Sequence, residues 1–295
     1  MSKRILITGI AGFIGSHLAE RLTDDGHAVE GVDTFVTGRT ENWPAAYEID
    51  VVDRKRFYKF ANDAPPEFVI HCAASYSDPD KWHRDTDTNV AGCINAALVA
   101  KHHGAHLIYF QTILPPISSY AISKIAGEQY LHLSNEKPFW RGRLTVLRLA
   151  NIYGPRNLSG PIPTFYKRLT EGLPVTAVKT TRDMVYIDDL VRAVQMVVQH
   201  ELTGTFDVCT GVQTPIHELL ENVCKAVYGG NNIIFESVDP LDDDVQGTVD
   251  PENGIPLWSP VMPLPTGIAR TVKSYQENGV DKTHTHLKIG ATDAS

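Results

Sequence analysis

Short β-branched or aliphatic runs alternate with helical patterns through the first half of the chain. Arg4–Thr8, Ala28–Asp33, Phe68–His71, His106–Gln111 and Leu144–Leu149 read as strands. Between them, Gly15–Asp24, Asn89–His102 and Tyr120–Ser134 place apolar residues at helical spacing. Such alternation builds βαβ units with right-handed crossovers, and therefore a parallel sheet covered by helices on both faces. The predicted fold is α/β, a doubly wound parallel sheet, whose ligands belong at the carboxyl ends of its strands.

After about residue 155 the texture changes. Pro155, Pro161, Pro163 and Pro174 interrupt the pattern, and six prolines fall between Pro240 and Pro265 among acidic residues. Residues 1–155 are therefore read as the nucleotide-binding domain and 156–295 as mainly a smaller substrate-binding region. Arg182–Leu190 and Gly204–Thr210 still look like strands, so the stretch of about 182–210 is expected to return to the main sheet.

Composition narrows the partners. At 295 residues the chain buries a core without staples. A net charge of −8 argues against an unselective nucleic-acid binder, because phosphate backbones are held by cationic surface. Cys72, Cys93, Cys209 and Cys224 stand far apart without C-x-x-C spacing, which fits a reducing cytoplasm and points to neither a disulfide scaffold nor a zinc knuckle. No apolar run approaches the ~20 residues of a membrane span, so no membrane partner is expected.

Thr8-Gly9-Ile10-Ala11-Gly12-Phe13-Ile14-Gly15 follows the first strand and opens a helix, the context that gives a glycine pattern weight and makes the fold Rossmann-like. Gly9 allows the tight turn, Gly12 lets backbone approach a pyrophosphate, and Gly15 lets helix pack on strand. The helix N-terminus offers N–H groups and a positive dipole end to phosphates. Asp33 ends the second strand eighteen positions after Gly15, where a carboxylate accepts both hydroxyls of an adenosine ribose. It would repel a 2′-phosphate, which favours NAD over NADP, although Arg39 six residues on is either a solvated loop cation or a complication of that choice. Asp50-Val51 precedes a polar turn, and is either a flank for the adenine or an ordinary loop.

Tyr120 and Lys124 stand four residues apart, on one face of a helix. Chance alone gives about half of one such pair in a chain of this composition, so the weight comes from order: the pair follows a fourth parallel strand in a chain with a dinucleotide loop. An adjacent ammonium stabilises phenolate and lowers the Tyr pKa, making Tyr120 a general base or acid.

The sequence resembles the extended short-chain dehydrogenases/reductases, and within them the NAD-dependent epimerase/dehydratase group that acts on nucleotide sugars. The resemblance covers nearly the whole chain and rests on Thr8–Gly15, Asp33–Arg39, His71–Ala74, Asn89–Gly92, Tyr120–Lys124, Arg148–Arg156 and Arg182–Leu190. It implies cofactor contacts at Gly9, Gly12, Phe13, Ile14, Gly15, Asp33, Thr37, Gly38, Asp50, Val51, Cys72, Ala73, Ala74, Asn89, Tyr120 and Lys124. It implies that Thr112, at the end of the fourth strand, holds the reacting sugar oxygen beside Tyr120 and Lys124. Asn151 and Arg182 match positions that contact the substrate or its diphosphate, and a guanidinium fork suits two phosphate oxygens. Arg182 is otherwise a structural partner for Asp183 or Asp188. The resemblance also implies a homodimer through helices around Asn89–His102 and Tyr120–Ser134.

Three departures matter. Only seven residues, Ile113–Ser119, separate Thr112 from Tyr120 where relatives place some two dozen, so the active-site wall is short or a loop is missing. Ile113-Leu114 stand where dehydratases carry an acidic pair, which argues against dehydration. A second phosphate-binding Arg would fall near Leu241-Asp242-Asp243-Asp244, an acidic stretch that lacks calcium-loop spacing and reads as solvated. His284 and His286 have no ligand cluster beside them, so no metal is expected.

The function expected is NAD-dependent epimerisation of a UDP- or dTDP-linked sugar at C4 through a 4-keto intermediate, in polysaccharide biosynthesis. The rivals are a nucleotide-sugar oxidoreductase or dehydratase, and a catalytically impaired nucleotide-binding protein.

Overall fold

The structure is a computed structural model, which describes residues 1–76, 78–135, 143–230, 233–240, 247, 249–281 and 283. The stretch 241–244, His284 and His286 lie outside the described residues. The first half runs β1 (Arg4–Thr8), α1 (Phe13–Asp24), β2 (Ala28–Asp33), β3 (Tyr47–Glu48), α2 (Arg54–Asp63) and β4 (Phe68–His71). It continues with α3 (Trp82–Asp85), a π-helical stretch (Thr86–Gly92), α4 (Cys93–His103), β5 (His106–Thr112), α5 (Ser119–Asn135) and β6 (Arg143–Leu149). The second half holds β7 (Asn151–Tyr153), α6 (Pro161–Thr170), β8 (Thr176–Val178), β9 (Thr181–Arg182), β10 (Met184–Tyr186), α7 (Ile187–His200) and β11 (Gly204–Val208). It ends with β12 (Thr214–Pro215), α8 (Ile216–Tyr228), β13 (Glu236–Val238) and α9 (Leu264–Asn278).

Seven strands form one parallel sheet in the order β11-β6-β5-β4-β1-β2-β3. The strand order reverses at β1, so the loops after β1 and β4 part there and leave a crevice, as doubly wound sheets do. Period-two alternation sorts each strand between two cores. Ile5 and Ile7 of β1 and Ile108 and Phe110 of β5 face one core, while Leu6, Leu107 and Tyr109 face the other. Residues buried on both sides make these strands read as continuous apolar runs.

Gly204–Val208 pairs with β6 at the sheet edge, as its sequence predicts. Arg182–Leu190 does not join the main sheet, and that expectation is corrected. β9 pairs antiparallel with β12, β10 pairs with β7 in a separate ribbon, and from Ile187 the chain is helical. The break has a cause at Asp183, whose buried carboxylate accepts from the Thr210 N–H (2.9 Å), the Thr210 hydroxyl (2.7 Å) and the Gly211 N–H (2.7 Å). Beyond it, Ile187, Leu190, Val191, Val194, Val197 and Val198 are buried at helical spacing, with Asp188 and Asp189 suiting the positive end of α7.

Among the described residues no helix is long and apolar enough to cross a membrane.

Candidate active site

A single cleft at the carboxyl ends of the strands gathers most of the residues singled out by sequence. Gly9, Gly12, Phe13, Ile14, Gly15, Asp33, Thr37, Asp50, Val51, Cys72, Ala73, Ala74, Thr112, Tyr120, Lys124 and Asn151 all line it.

The glycine loop can hold a dinucleotide for steric reasons. Gly9 has φ +67°, and a Cβ there would stand 2.8 Å from the Ala73 nitrogen. A Cβ on Gly15 would meet the Gly9 carbonyl at 2.1 Å, so α1 packs on the loop only without a side chain. Gly12 caps α1 with no side chain on its N–H groups, leaving them to an anion. Asp33 is 8% exposed at the end of β2, with its carboxylate accepting from the N–H groups of Ala11 (2.9 Å) and Phe35 (2.8 Å). Burial raises its pKa and those backbone bonds oppose the rise. Gly38 lies outside the cleft and backs Asp33, since a Cβ on it would come within 2.8 Å of the carboxylate. Arg39 is turned out of the cleft and paired with Asp281, whose carbonyl also accepts from Lys167 Nζ at 2.7 Å.

Asn89 is not at the cleft surface. It is buried, donates to the Ser75 carbonyl (2.9 Å) and the Ser123 hydroxyl (2.9 Å), and accepts from the Ser75 N–H (2.8 Å). Ser75 Oγ in turn donates to buried Asp85 at 2.6 Å. The π-helical turn between Asp85 and Gly92 widens the helix where these side chains meet the loop after β4, tying that loop to α5. Asn89 thus acts on the wall of the cleft through Ser75 and Ser123.

Thr112 ends β5, and its hydroxyl accepts from the Leu114 N–H at 3.2 Å. Lys124 is 3% exposed, and its ammonium lies 4.1 Å over the ring of Tyr109, whose hydroxyl donates to the Lys124 carbonyl at 2.9 Å. Burial brings the Lys124 pKa down to about 8, against the pull of Cys93, Cys72 and Glu128. Burial pushes the Tyr120 phenol well above its ordinary value, with Tyr76 and Asp85 pushing the same way. The expected lowering of the Tyr120 pKa by Lys124 is therefore corrected: in the protein alone, burial of the phenol raises it. His71, beside them, is held neutral, its pKa lowered by burial to about 3. Its Nδ1 shares a 2.8 Å hydrogen bond with Thr8 Oγ1, and its Nε2 has no partner.

Asn151 lines the far wall, its side chain donating to the Asp183 carbonyl at 3.2 Å. Arg182 does not line the cleft; its guanidinium donates to Thr180 Oγ1 (3.1 Å) and the Thr181 carbonyl (2.8 Å). Glu128, not singled out by sequence, accepts from Gln111 at 2.7 Å and pairs with His132 and Arg148 beneath Lys124. Its place at Lys124+4 on the same helical stripe was the available signal. Ser75, Tyr76, Arg84 and Thr88 also line the cleft and carried no such signal.

Residues 5–209 match the model of the NAD dependent epimerase/dehydratase family. The chain belongs to that family. Its cofactor is NAD, in keeping with the glycine loop and Asp33 and with solved relatives that carry NAD. A UDP-glucose 4-epimerase of Mycolicibacterium smegmatis is 30% identical, over 92% of this chain and 98% of that protein. The Bordetella bronchiseptica enzyme WbmH, solved with NAD+, is 35% identical with a TM-score of 0.85, covering 95% of this chain and all of that one. WbmG of the same organism, solved with NAD and UDP, is 34% identical with a TM-score of 0.86, covering 98% and 100%. Among the described residues no group of three metal-ligating side chains occurs.

Proposed function

We propose that this family member interconverts the C4 epimers of a UDP- or dTDP-linked sugar. The observation that carries the reading is the meeting of Thr112, Tyr120 and Lys124 in one cleft with the glycine loop and Asp33. The relatives named as UDP-glucose 4-epimerases support it.

Gly9, Gly12, Phe13, Ile14 and Gly15 hold the cofactor diphosphate, Asp33 the adenosine ribose, and Thr37, Asp50, Val51 and Cys72–Ala74 the remaining walls. When bound, NAD supplies the acceptor and donor of hydride at C4 and a positively charged ring. Tyr120 takes the C4 hydroxyl proton and later returns it. Thr112 orients that oxygen by hydrogen bond, and Lys124 keeps positive charge in a site where burial resists the phenolate. The 4-keto sugar turns about its diphosphate between the two half-reactions, so cofactor is regenerated each turnover. Asn151 faces the substrate, and residues 156–295 mainly form the substrate side. Arg182 reaches the diphosphate only by leaving its bonds to Thr180 and Thr181.

A homodimer fits the outer face of α5, where Ile122, Tyr130 and Leu133 are 53%, 49% and 52% exposed at helical spacing. A cytoplasmic place in polysaccharide biosynthesis suits the four free thiols and an activated-sugar substrate.

The test incubates protein, NAD and a panel of UDP- and dTDP-sugars, following C4 epimers by chromatography and reduced nicotinamide by absorbance. Epimers without net reduced nicotinamide are expected. Stoichiometric reduced nicotinamide would make the protein a net oxidoreductase, and near-full epimerase activity in Tyr120→Phe would sink the mechanism.

A further inference from the structure

We infer that Arg84 is a carboxylate-binding subsite, so that the sugar handled in this cleft is a uronic acid. The inference rests on the epimerase reading above and names its substrate class. The observation behind it is the distribution of cations. Among the described residues only two Lys or Arg side chains line the cleft, Lys124 and Arg84. Lys124 is buried over Tyr109 and serves Tyr120. Arg84 is exposed on the rim, and among the described residues it forms no ion pair; Arg4, Arg21, Arg54 and Arg56 form none either, but none of them lines the cleft. The adjacent Asp85 does not neutralise it. That carboxylate is buried and committed to the Ser75 hydroxyl, roughly 100° around the helix.

Position then selects the part of the substrate that Arg84 meets. Thr88, one turn on, lines the same cleft, so this face of the helix looks into it. Asp85, Ser75 and Tyr76 fix that face at the Tyr120 end: Asp85 raises the Tyr120 pKa, and the Tyr76 ring stands edge-on to Tyr120 at 6.5 Å. The anion-holding end of the glycine loop and the Asn151 wall belong to other parts of the cleft. A group reaching Arg84 therefore belongs to the sugar itself, close to the reacting carbon. On a hexose the neighbour of C4 on the ring-oxygen side is C5, whose C6 substituent is a hydroxymethyl or, in a uronic acid, a carboxylate. The short segment after Thr112 puts Ile113 and Leu114 on the cleft, and neither side chain can bond a C6 oxygen. At this end of the cleft the Arg84 fork stands with the hydroxyls of Thr88, Ser75 and Tyr76, and among these it alone is cationic, its N–H donors matching a carboxylate with two parallel bonds.

The test measures calorimetric affinity of the NAD-loaded protein for UDP-glucuronate and UDP-glucose, in wild type, Arg84→Gln and Arg84→Lys, with C4 epimerisation of both sugars followed in parallel. Wild type is expected to bind the acidic sugar more tightly. Arg84→Gln is expected to cut the acid-to-neutral preference by roughly 10- to 100-fold, the scale of charge-assisted hydrogen bonds. Arg84→Lys should keep part of it, and NAD affinity should not move in either variant. Equal affinity for the two sugars in wild type, or a preference unchanged in Arg84→Gln, would overturn the inference and leave the epimerase reading standing. Retained, Arg84-dependent acid preference without epimerisation of either sugar would support the subsite while overturning the C4 reaction.

Discussion

A buried ammonium at the centre of the cleft has a cost that shows up in stability, and its sign is fixed by the structure. Lys124 is 3% exposed and its pKa falls from 10.5 to about 8 through desolvation. Below pH 8 the folded and unfolded chains both carry the proton, and the whole penalty of burying it is present. Between pH 8 and 10.5 the unfolded chain binds more protons than the folded one, so stability rises with pH across that window. A difference of about 2.5 units at about 1.4 kcal/mol each makes the penalty at pH 7 about 3 kcal/mol. By pH 9.5 about 2 kcal/mol of it has been relieved. Lys124→Met removes the charge while keeping length and apolar volume, but forfeits the cation–π contact with Tyr109, worth about 1–2 kcal/mol when desolvated. The variant should therefore be as stable as wild type at pH 7 or up to about 2 kcal/mol more stable, and inactive. Urea unfolding of both proteins at pH 7 and pH 9.5 checks this, since the double difference cancels every other titrating group. Wild type should gain about 2 kcal/mol on the variant over that interval. A gap that does not change with pH would show that the ammonium is not desolvated in the folded protein, and the electrostatic account of the site would fall with it.

Other consequences are equally checkable. Tyr120→Phe should lose at least 100-fold in epimerisation while its NAD affinity by fluorescence titration stays close to wild type. Gly15→Ala drives a methyl to within 2.1 Å of the Gly9 carbonyl, so NAD binding should be lost and thermal stability should drop by several degrees in calorimetry. Asn89→Ala breaks three buried hydrogen bonds between the β4 loop and α5, and should cost about 2–3 kcal/mol in urea unfolding. Asp281→Asn releases Arg39 beside the adenosine end, and should tighten NADP binding relative to NAD in competition titrations, most of all when combined with Asp33→Ser.

What the sequence revealed follows from how local each signal is. The parallel strands were legible because strands covered on both faces are apolar throughout, and Gly9 to Gly15 were legible because the spacing of glycines records a backbone that tolerates no Cβ. Tyr120 and Lys124 could be paired because four residues along a helix is a contact. The readings that failed, or could not be made, depend on contacts far apart in the chain. Arg182–Leu190 looked like a strand until Asp183 took its partners from Thr210 and Gly211, twenty-seven and twenty-eight residues on. A lowering of the Tyr120 pKa rests on one pair of residues, whereas the rise comes from burial of the whole phenol, with Tyr76 and Asp85 pushing the same way. Asn89 matched a motif and so was placed against cofactor, yet three hydrogen bonds turn it into the brace behind Ser75. That brace holds the wall on which Arg84 and Thr88 stand. In the proposal above, the short segment after Thr112 leaves recognition of the sugar to the helix after β4, whose Arg84 and Thr88 line the cleft beside the π-helical stretch.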